Sequence, residues 1–250
     1  MEIKGKTFLV TGGSSGIGKA TAKLLSEKGG KVAITGRNPE KLRKVAEEIN
    51  ALAIHADVAS DEDIAKTYET FLEEFGHLDC LVNNAGIGSR QTLTEHEKKN
   101  NIKVNKRKEL TDLKREDFQA VYDINVMGAA MMGAKAAELF KEQKYGNIVN
   151  LGSTASLKGY ATGSVYVSSK FALRGLSQCW QAELRPYNVR VIHVNPSEVP
   201  TAFGQETREE RPEEPNKLTA VEIGHAIVSS LEMDDRGFIP ELTVWATNPF

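Results

Sequence analysis

Short apolar runs rich in strand formers alternate with amphipathic helical stretches along this chain. That rhythm restricts it to a mainly parallel, doubly wound sheet with helices packed on its faces. Thr7-Phe8-Leu9-Val10 is the first such run, and a helical pattern follows from Ile17, with Ala20, Leu24 and Leu25 on one face and Gly29-Gly30 as its stop. Residues 31–35 read as a second strand, 52–56 as a third and 78–82 as a fourth, separated by helices over 38–50 and 61–75. Asn38-Pro39 supplies a helix start, and Leu42, Val45 and Ile49 recur at core spacing behind it. Farther on, a long helix is expected over 113–144, strands over 146–151 and 188–194, and a helix from Ser164 to Leu184 stopped by Pro186. A last helix capped by Thr219 and a strand over 237–244 complete the series, with Pro240 favouring an edge position or a bulge.

The first turn of this series carries chemistry. Thr11-Gly12-Gly13-Ser14-Ser15-Gly16-Ile17-Gly18 joins a strand to a helix, the context in which glycines let a backbone approach a pyrophosphate at the positive end of a helix. The loop residues Gly12, Ser14, Ser15, Gly16, Ile17 and Gly18 are therefore expected to hold a dinucleotide, although the spacing is G-x-x-x-G-x-G rather than the commonest fingerprint. At the end of the second strand, Gly36 stands where an acidic residue would grip a ribose 2′-hydroxyl, and Arg37 follows. A guanidinium there suits a 2′-phosphate and favours NADP(H) over NAD(H), the other reading being a solvated loop arginine. Asp57, next to Val58 past the third strand, has two readings: an acceptor for an adenine amino group, or a cap for its own turn.

Tyr166-Val167-Ser168-Ser169-Lys170 places a phenol and an ammonium on one helix face, at i and i+4. A free tyrosine, with a pKa of about 10, keeps its proton at neutral pH. A fixed positive neighbour is expected to lower that value towards general acid–base use, with Ser153 bonding the oxygen on which charge changes.

Composition narrows the function classes. With 40% apolar and 26% charged residues and a net charge of −2, the 250-residue chain reads as an ordinary globule with no footprint for nucleic acid or an anionic membrane. No apolar run approaches membrane-spanning length, and residues 1–6 are not expected to act as a secretory signal. Cys80 and Cys179 supply neither a disulfide framework nor a four-cysteine zinc site, so no metal is expected and a reduced, cytoplasmic setting is the default.

Thr11-Gly12-x-x-x-Gly16-Ile17-Gly18, Asn83-Asn84-Ala85-Gly86, Ser153 and Tyr166-x-x-x-Lys170 together resemble the motifs of the short-chain dehydrogenase/reductase family, single-domain branch. The resemblance covers nearly the whole chain and is closest in flavour to the 3-oxoacyl-carrier-protein reductase type. It implies one Rossmann-type domain with a seven-stranded parallel sheet, and hydride transfer between a nicotinamide and a carbonyl or secondary alcohol. Asn125 is implied to organise water behind the lysine through a local break in its helix, completing a catalytic set with Ser153, Tyr166 and Lys170. Asn84, Ala85, Gly86, Pro196, Val199 and Thr201 are implied to contact the cofactor, and Lys170 to bond the nicotinamide ribose. Ser197 departs from the family pattern Pro-Gly-x-Val-x-Thr by replacing its glycine. A homo-oligomer, dimer or tetramer, is implied by the exposed face of the 164–184 helix, with Cys179 in that packing and Trp245 and Phe250 at an interface. The rival reading is a nicotinamide-binding sensor without catalysis, which has no use for all four residues.

Two segments stand outside the rhythm. A charged insertion at about 88–112, with a basic run from Lys98 to Lys108, reads as a solvated loop or as a lid or docking surface for an acidic acyl carrier. A charged segment at about 202–217, containing Pro212 and Pro215, reads as a substrate flap.

Overall fold

The computed structural model describes residues 1–88, 108–203 and 210–248. Most of the charged insertion, including Lys106 and Arg107, lies outside them, as do the middle of the 202–217 segment and Phe250.

Seven strands form one all-parallel sheet: β1 (Thr7–Val10), β2 (Lys31–Gly36), β3 (Leu52–His55), β4 (Cys80–Asn83), β5 (Gly146–Leu151), β6 (Val189–Pro196) and β7 (Glu241–Val244), in the order β3-β2-β1-β4-β5-β6-β7. The helices are α1 (Gly16–Glu27), α2 (Pro39–Ile49), α3 (Asp61–Phe75), α4 (Arg115–Tyr122), α5 (Ala129–Gln143), α6 (Ser164–Leu184) and α7 (Ala220–Glu232). Because side chains alternate along a strand, each buried strand feeds two cores. Phe8, Val10, Ile34, Val82 and Ile192 pack with Leu25, Leu42 and Ile227 on one face, whereas Leu9, Leu81, Ile148 and Val191 pack with Phe71, Met132 and Phe140 on the other. Cys80 is fully buried in the first of these cores, as its apolar surroundings suggest.

Local chemistry explains most boundaries. Asn38 accepts from the Lys41 N–H and Pro39 occupies the first turn of α2, while Thr219 and Glu222 form a capping box on α7. β4 starts at Cys80 rather than 78, because the Asp79 carboxylate instead accepts from the Thr7 N–H (2.9 Å) and fixes the start of β1. β7 is shorter than expected and opens after Pro240, which has no N–H to give; it lies at the sheet edge, as that proline requires. Ser197 donates its N–H to Val244 O (2.9 Å) with no positive φ, so the backbone there tolerates a side chain.

The long helix expected over 113–144 runs as α4 and α5 with a π-helical segment over Asp123–Gly128 between them, the local break implied at Asn125. Its wider turn lets Gly128 press against the loop after β3: a Cβ there would lie 2.7 Å from Val58 O. Backbone cannot yield as a side-chain tip can, so Gly128→Ala is expected to cost about 1–3 kcal/mol. Urea unfolding of the two proteins measures this, and an unchanged midpoint would refute the contact.

Candidate active site

All strands of a parallel sheet end at the same edge, and a ligand crevice forms where neighbouring connections leave in opposite directions. Here β1 sits between β2 and β4, so the loops after β1 and β4 diverge across that point. A cleft of about 1250 Å³ opens along this edge. Gly12, Ser14, Ser15, Gly16, Ile17, Arg37, Asp57, Val58, Asn84, Ala85, Gly86, Pro196, Val199 and Thr201 line it together with Ser153, Tyr166 and Lys170.

The two loops are clasped together. Thr11 Oγ1 accepts from the N–H groups of Asn84 and Ala85 (both 3.0 Å), and the Asn84 side-chain amide donates to Thr11 O (2.8 Å) and Gly12 O (3.1 Å). Gly12 and Gly16 take positive φ (65° and 51°), a conformation that side-chain-bearing residues avoid. Gly18 does not line the cleft; it lies beneath, where a Cβ would meet Asn84 Nδ2 at 2.3 Å. Its requirement is therefore packing of α1 against the clasp.

At the far end, Arg37 Nη1 lies 3.8 Å from Asp57 Oδ2, with both side chains partly exposed. Asp57 Oδ1 accepts from the Ala59 N–H (3.0 Å), which realises the turn-capping reading of that residue. Past β6, the Glu210 carboxylate accepts from the Gly16 N–H (2.9 Å) and the Ala202 N–H (2.8 Å). A glycine cradle with donors already turned on an anion, and a guanidinium beyond it, fit the diphosphate and ribose of a dinucleotide.

Tyr166 and Lys170 project from α6 toward Ser153, which follows β5. Lys170 is buried and donates from Nζ to Leu151 O (2.7 Å), with its ammonium 5.8 Å from the centroid of the Tyr166 ring. Phe203 packs against the phenol, ring centroids 5.7 Å apart. The expected lowering of the tyrosine pKa is not what these surroundings produce. Burial pushes the Tyr166 phenol up to about 12, against the opposing pull of a hydrogen bond with Ser153. Burial also brings Lys170 down to about 8, so withdrawal from water favours the neutral form of each partner.

Asn125 is buried in the π segment, behind the cleft rather than in its lining. Its Oδ1 accepts from the Ile87 N–H (2.8 Å), and Nδ2 donates to Ile87 O (2.8 Å) and Ser169 Oγ (3.1 Å). The side chain thus ties the loop after β4 to the helix that carries Tyr166 and Lys170.

His193 is a buried participant that the sequence reading did not single out. Ser177 Oγ lies 2.8 Å from Leu173 O and 3.0 Å from His193 Nδ1, and it accepts from Asn150 Nδ2 (2.9 Å). His193 Nε2 lies 3.4 Å from Ser156 Oγ, which accepts from the Ser153 N–H (3.2 Å). The imidazole therefore braces the turn that presents Ser153. Lying in the middle of an apolar strand, His193 gave no periodic or motif signal. The same holds for Glu210, whose partner Gly16 is 194 residues away.

Lys108 and Asp117, at the cleft rim, form a close pair with both Nζ–O distances 2.8 Å. That pairing leaves the Lys108 ammonium engaged within the fold. Cys179 is exposed on α6, while Met132 is buried and Met127 and Met131 are partly exposed. Among the described residues no helix is long and apolar enough to cross a membrane, and no three His, Cys, Asp or Glu side chains are grouped to hold a metal.

The short chain dehydrogenase family model matches residues 6–212, and the chain belongs to that family. An uncharacterized oxidoreductase of Staphylococcus epidermidis is 30% identical over 97% of this chain and 98% of its own. An alcohol dehydrogenase from the archaeon Thermococcus sibiricus, solved with 5-hydroxy-NADP, superposes with TM-score 0.83 at 28% identity over 97% of each chain. A 3-ketoacyl-(acyl-carrier-protein) reductase from Brucella melitensis, solved with NADH, gives TM-score 0.83 at 26% identity over 99% of this chain and 100% of the other. The protein is thus an oxidoreductase of the short-chain family with its single-domain, seven-stranded fold.

Burial and the nearby Lys170 and Arg174 charges lower the His193 pKa to about 3, with Asn195 opposing weakly. Below the ordinary histidine value of about 6.5 an unfolded chain takes a proton there that the folded protein refuses, so stability falls as pH drops from 6.5 towards 3. Relative to His193→Gln, the wild type is expected to lose up to about 1.4 kcal/mol per pH unit in that window, and nothing above it. Urea midpoints at pH 7, 6, 5 and 4 test the sign; parallel curves below pH 6 would exclude a neutral, buried imidazole.

Proposed function

We propose that this chain is an NADP(H)-dependent reductase or dehydrogenase that exchanges a hydride between the nicotinamide and a carbonyl or secondary alcohol. The observation that carries the reading is the convergence of Tyr166, Ser153 and Lys170 on one side of a cleft floored by the glycine loop. A bound nicotinamide would supply or accept the hydride. Tyr166, protonated at neutral pH, donates to the carbonyl oxygen during reduction, and Ser153 holds that oxygen by a second hydrogen bond. Lys170 would bond the ribose hydroxyls of the cofactor and, with its pKa near 8, would exchange protons around neutral pH. Asn125 keeps the lysine-bearing helix registered against the loop after β4.

The cofactor preference rests on Arg37 at the end of β2, with Gly36 in the place of a carboxylate. Gly12, Ser14, Ser15, Gly16 and Ile17 are assigned to the diphosphate, Asp57 and Val58 to the adenine, and Asn84, Ala85, Gly86, Pro196, Val199 and Thr201 to the nicotinamide half. Gly18 serves this site by packing. A small carbonyl or alcohol is the substrate class, of which a 3-oxoacyl thioester is one member, with an acyl carrier as the partner that would present it. We assign a homo-oligomer and a cytoplasmic setting on the family likeness, with the partly exposed Phe171 and Met131 on α6 and α5 as the candidate contact face.

Tyr166→Phe is expected to reduce turnover about 10²–10⁴-fold and leave NADPH binding intact. Retained turnover in an NADPH-oxidation assay across acyl thioesters, diketones and sugars would overturn the assignment. Arg37→Asp is expected to weaken NADPH binding about 10–100-fold and spare NADH, as loss of a charged hydrogen bond implies. Equal losses for both cofactors, in fluorescence titrations, would count against NADP(H).

A further inference from the structure

The α1 N-terminus is capped from a distance. Ser15, at its N-cap, makes no side-chain capping bond, and the first turn contains no acidic residue of its own. The Gly16 N–H instead finds Glu210 Oε1 at 2.9 Å, and the other oxygen of the same carboxylate accepts from Ala202 N–H at 2.8 Å. These donors come from the glycine loop and from the residue after Thr201, the two walls between which a diphosphate would lie. One carboxylate therefore bridges both walls with the charge and oxygen spacing of a phosphate edge.

Its placement is anchored on the adjoining residue. Arg211 donates from Nη2 to Val199 O (3.2 Å) and pairs through Nη1 with Glu198 Oε1 (3.5 Å), which also meets Lys217 (3.3 Å). Glu198 is thus already matched by two cations, and Glu210 is left to the backbone donors.

We propose that Glu210 is an internal competitor for the diphosphate seat, a residue that sets cofactor affinity by occupying the N–H groups the cofactor needs. This rests on the dinucleotide reading of the cleft. Two anions cannot share those donors, so Glu210 must leave Gly16 and Ala202 before a diphosphate is held. Apparent affinity is then reduced by the fraction of molecules in which the seat is open. The acidic residue lowers affinity for the whole dinucleotide but not for a fragment that lacks the diphosphate.

The test is a calorimetric titration of the full chain, wild type against Glu210→Ala and Glu210→Gln, with NADPH and with adenosine 2′-monophosphate. NADPH is expected to bind Glu210→Ala about tenfold more tightly than wild type. Glu210→Gln should fall between them, because its amide oxygen still accepts but without charge. Adenosine 2′-monophosphate should bind all three alike. Equal or weaker NADPH binding by both variants, each verified as folded by its melting curve, overturns the proposal and makes Glu210 a simple helix cap or a contact to bound cofactor. Failure of NADPH to bind any of the three overturns it together with the cofactor assignment, a result distinct from binding at equal affinity.

Discussion

The Thr11–Asn84 clasp is the interaction on which the site depends. β1 and β4 are neighbours, yet the chain leaves them toward opposite faces of the sheet, so the loops that follow must part. A single hydroxyl receiving two N–H groups, and one amide returning two bonds to carbonyls, hold those loops at a fixed separation. Gly18 brings α1 against the same amide, which aims the helix at the space between them. From the other side, Asn125 reaches Ile87 and Ser169, linking the β4 loop to α6, which carries Tyr166 and Lys170. The cofactor cradle and the Tyr166–Lys170 pair are thereby referenced to one another through side-chain amides rather than through flexible surface contacts.

Burial rather than charge attraction governs the ionisation of that pair. A tyrosine and a lysine near one another in water would each favour the other's charged state. Enclosed together, both resist charging, and the lysine keeps a carbonyl, Leu151 O, as its partner. The phenol accordingly keeps its proton at neutral pH.

Much of this was legible in the sequence because it is local. The strand–Gly12-Gly16-Gly18–helix turn, the i, i+4 relation of Tyr166 and Lys170, and the caps at Asn38 and Thr219 depend on neighbours within a few residues. The order of motifs then carried Ser153 and Asn125, including the break that divides α4 from α5. What escaped was what depends on distance or on enclosure. Glu210 meets Gly16 only because the fold returns there, and nothing near Glu210 separates it from the other acids of its charged segment. The direction of the Tyr166 shift was missed because a count of nearby charges omits the water that folding removes. His193 lay in an apolar run and read as one more sheet residue.

The hydrogen-bond chain through His193 has one further property. It begins at a backbone N–H, that of Ser153, and ends at a backbone carbonyl, that of Leu173. Each serine hydroxyl beside the ring can both donate and accept, so a neutral imidazole finds a matching partner at either nitrogen. Because burial keeps the ring uncharged at neutral pH, it props the turn of Ser153 without placing a positive charge behind it.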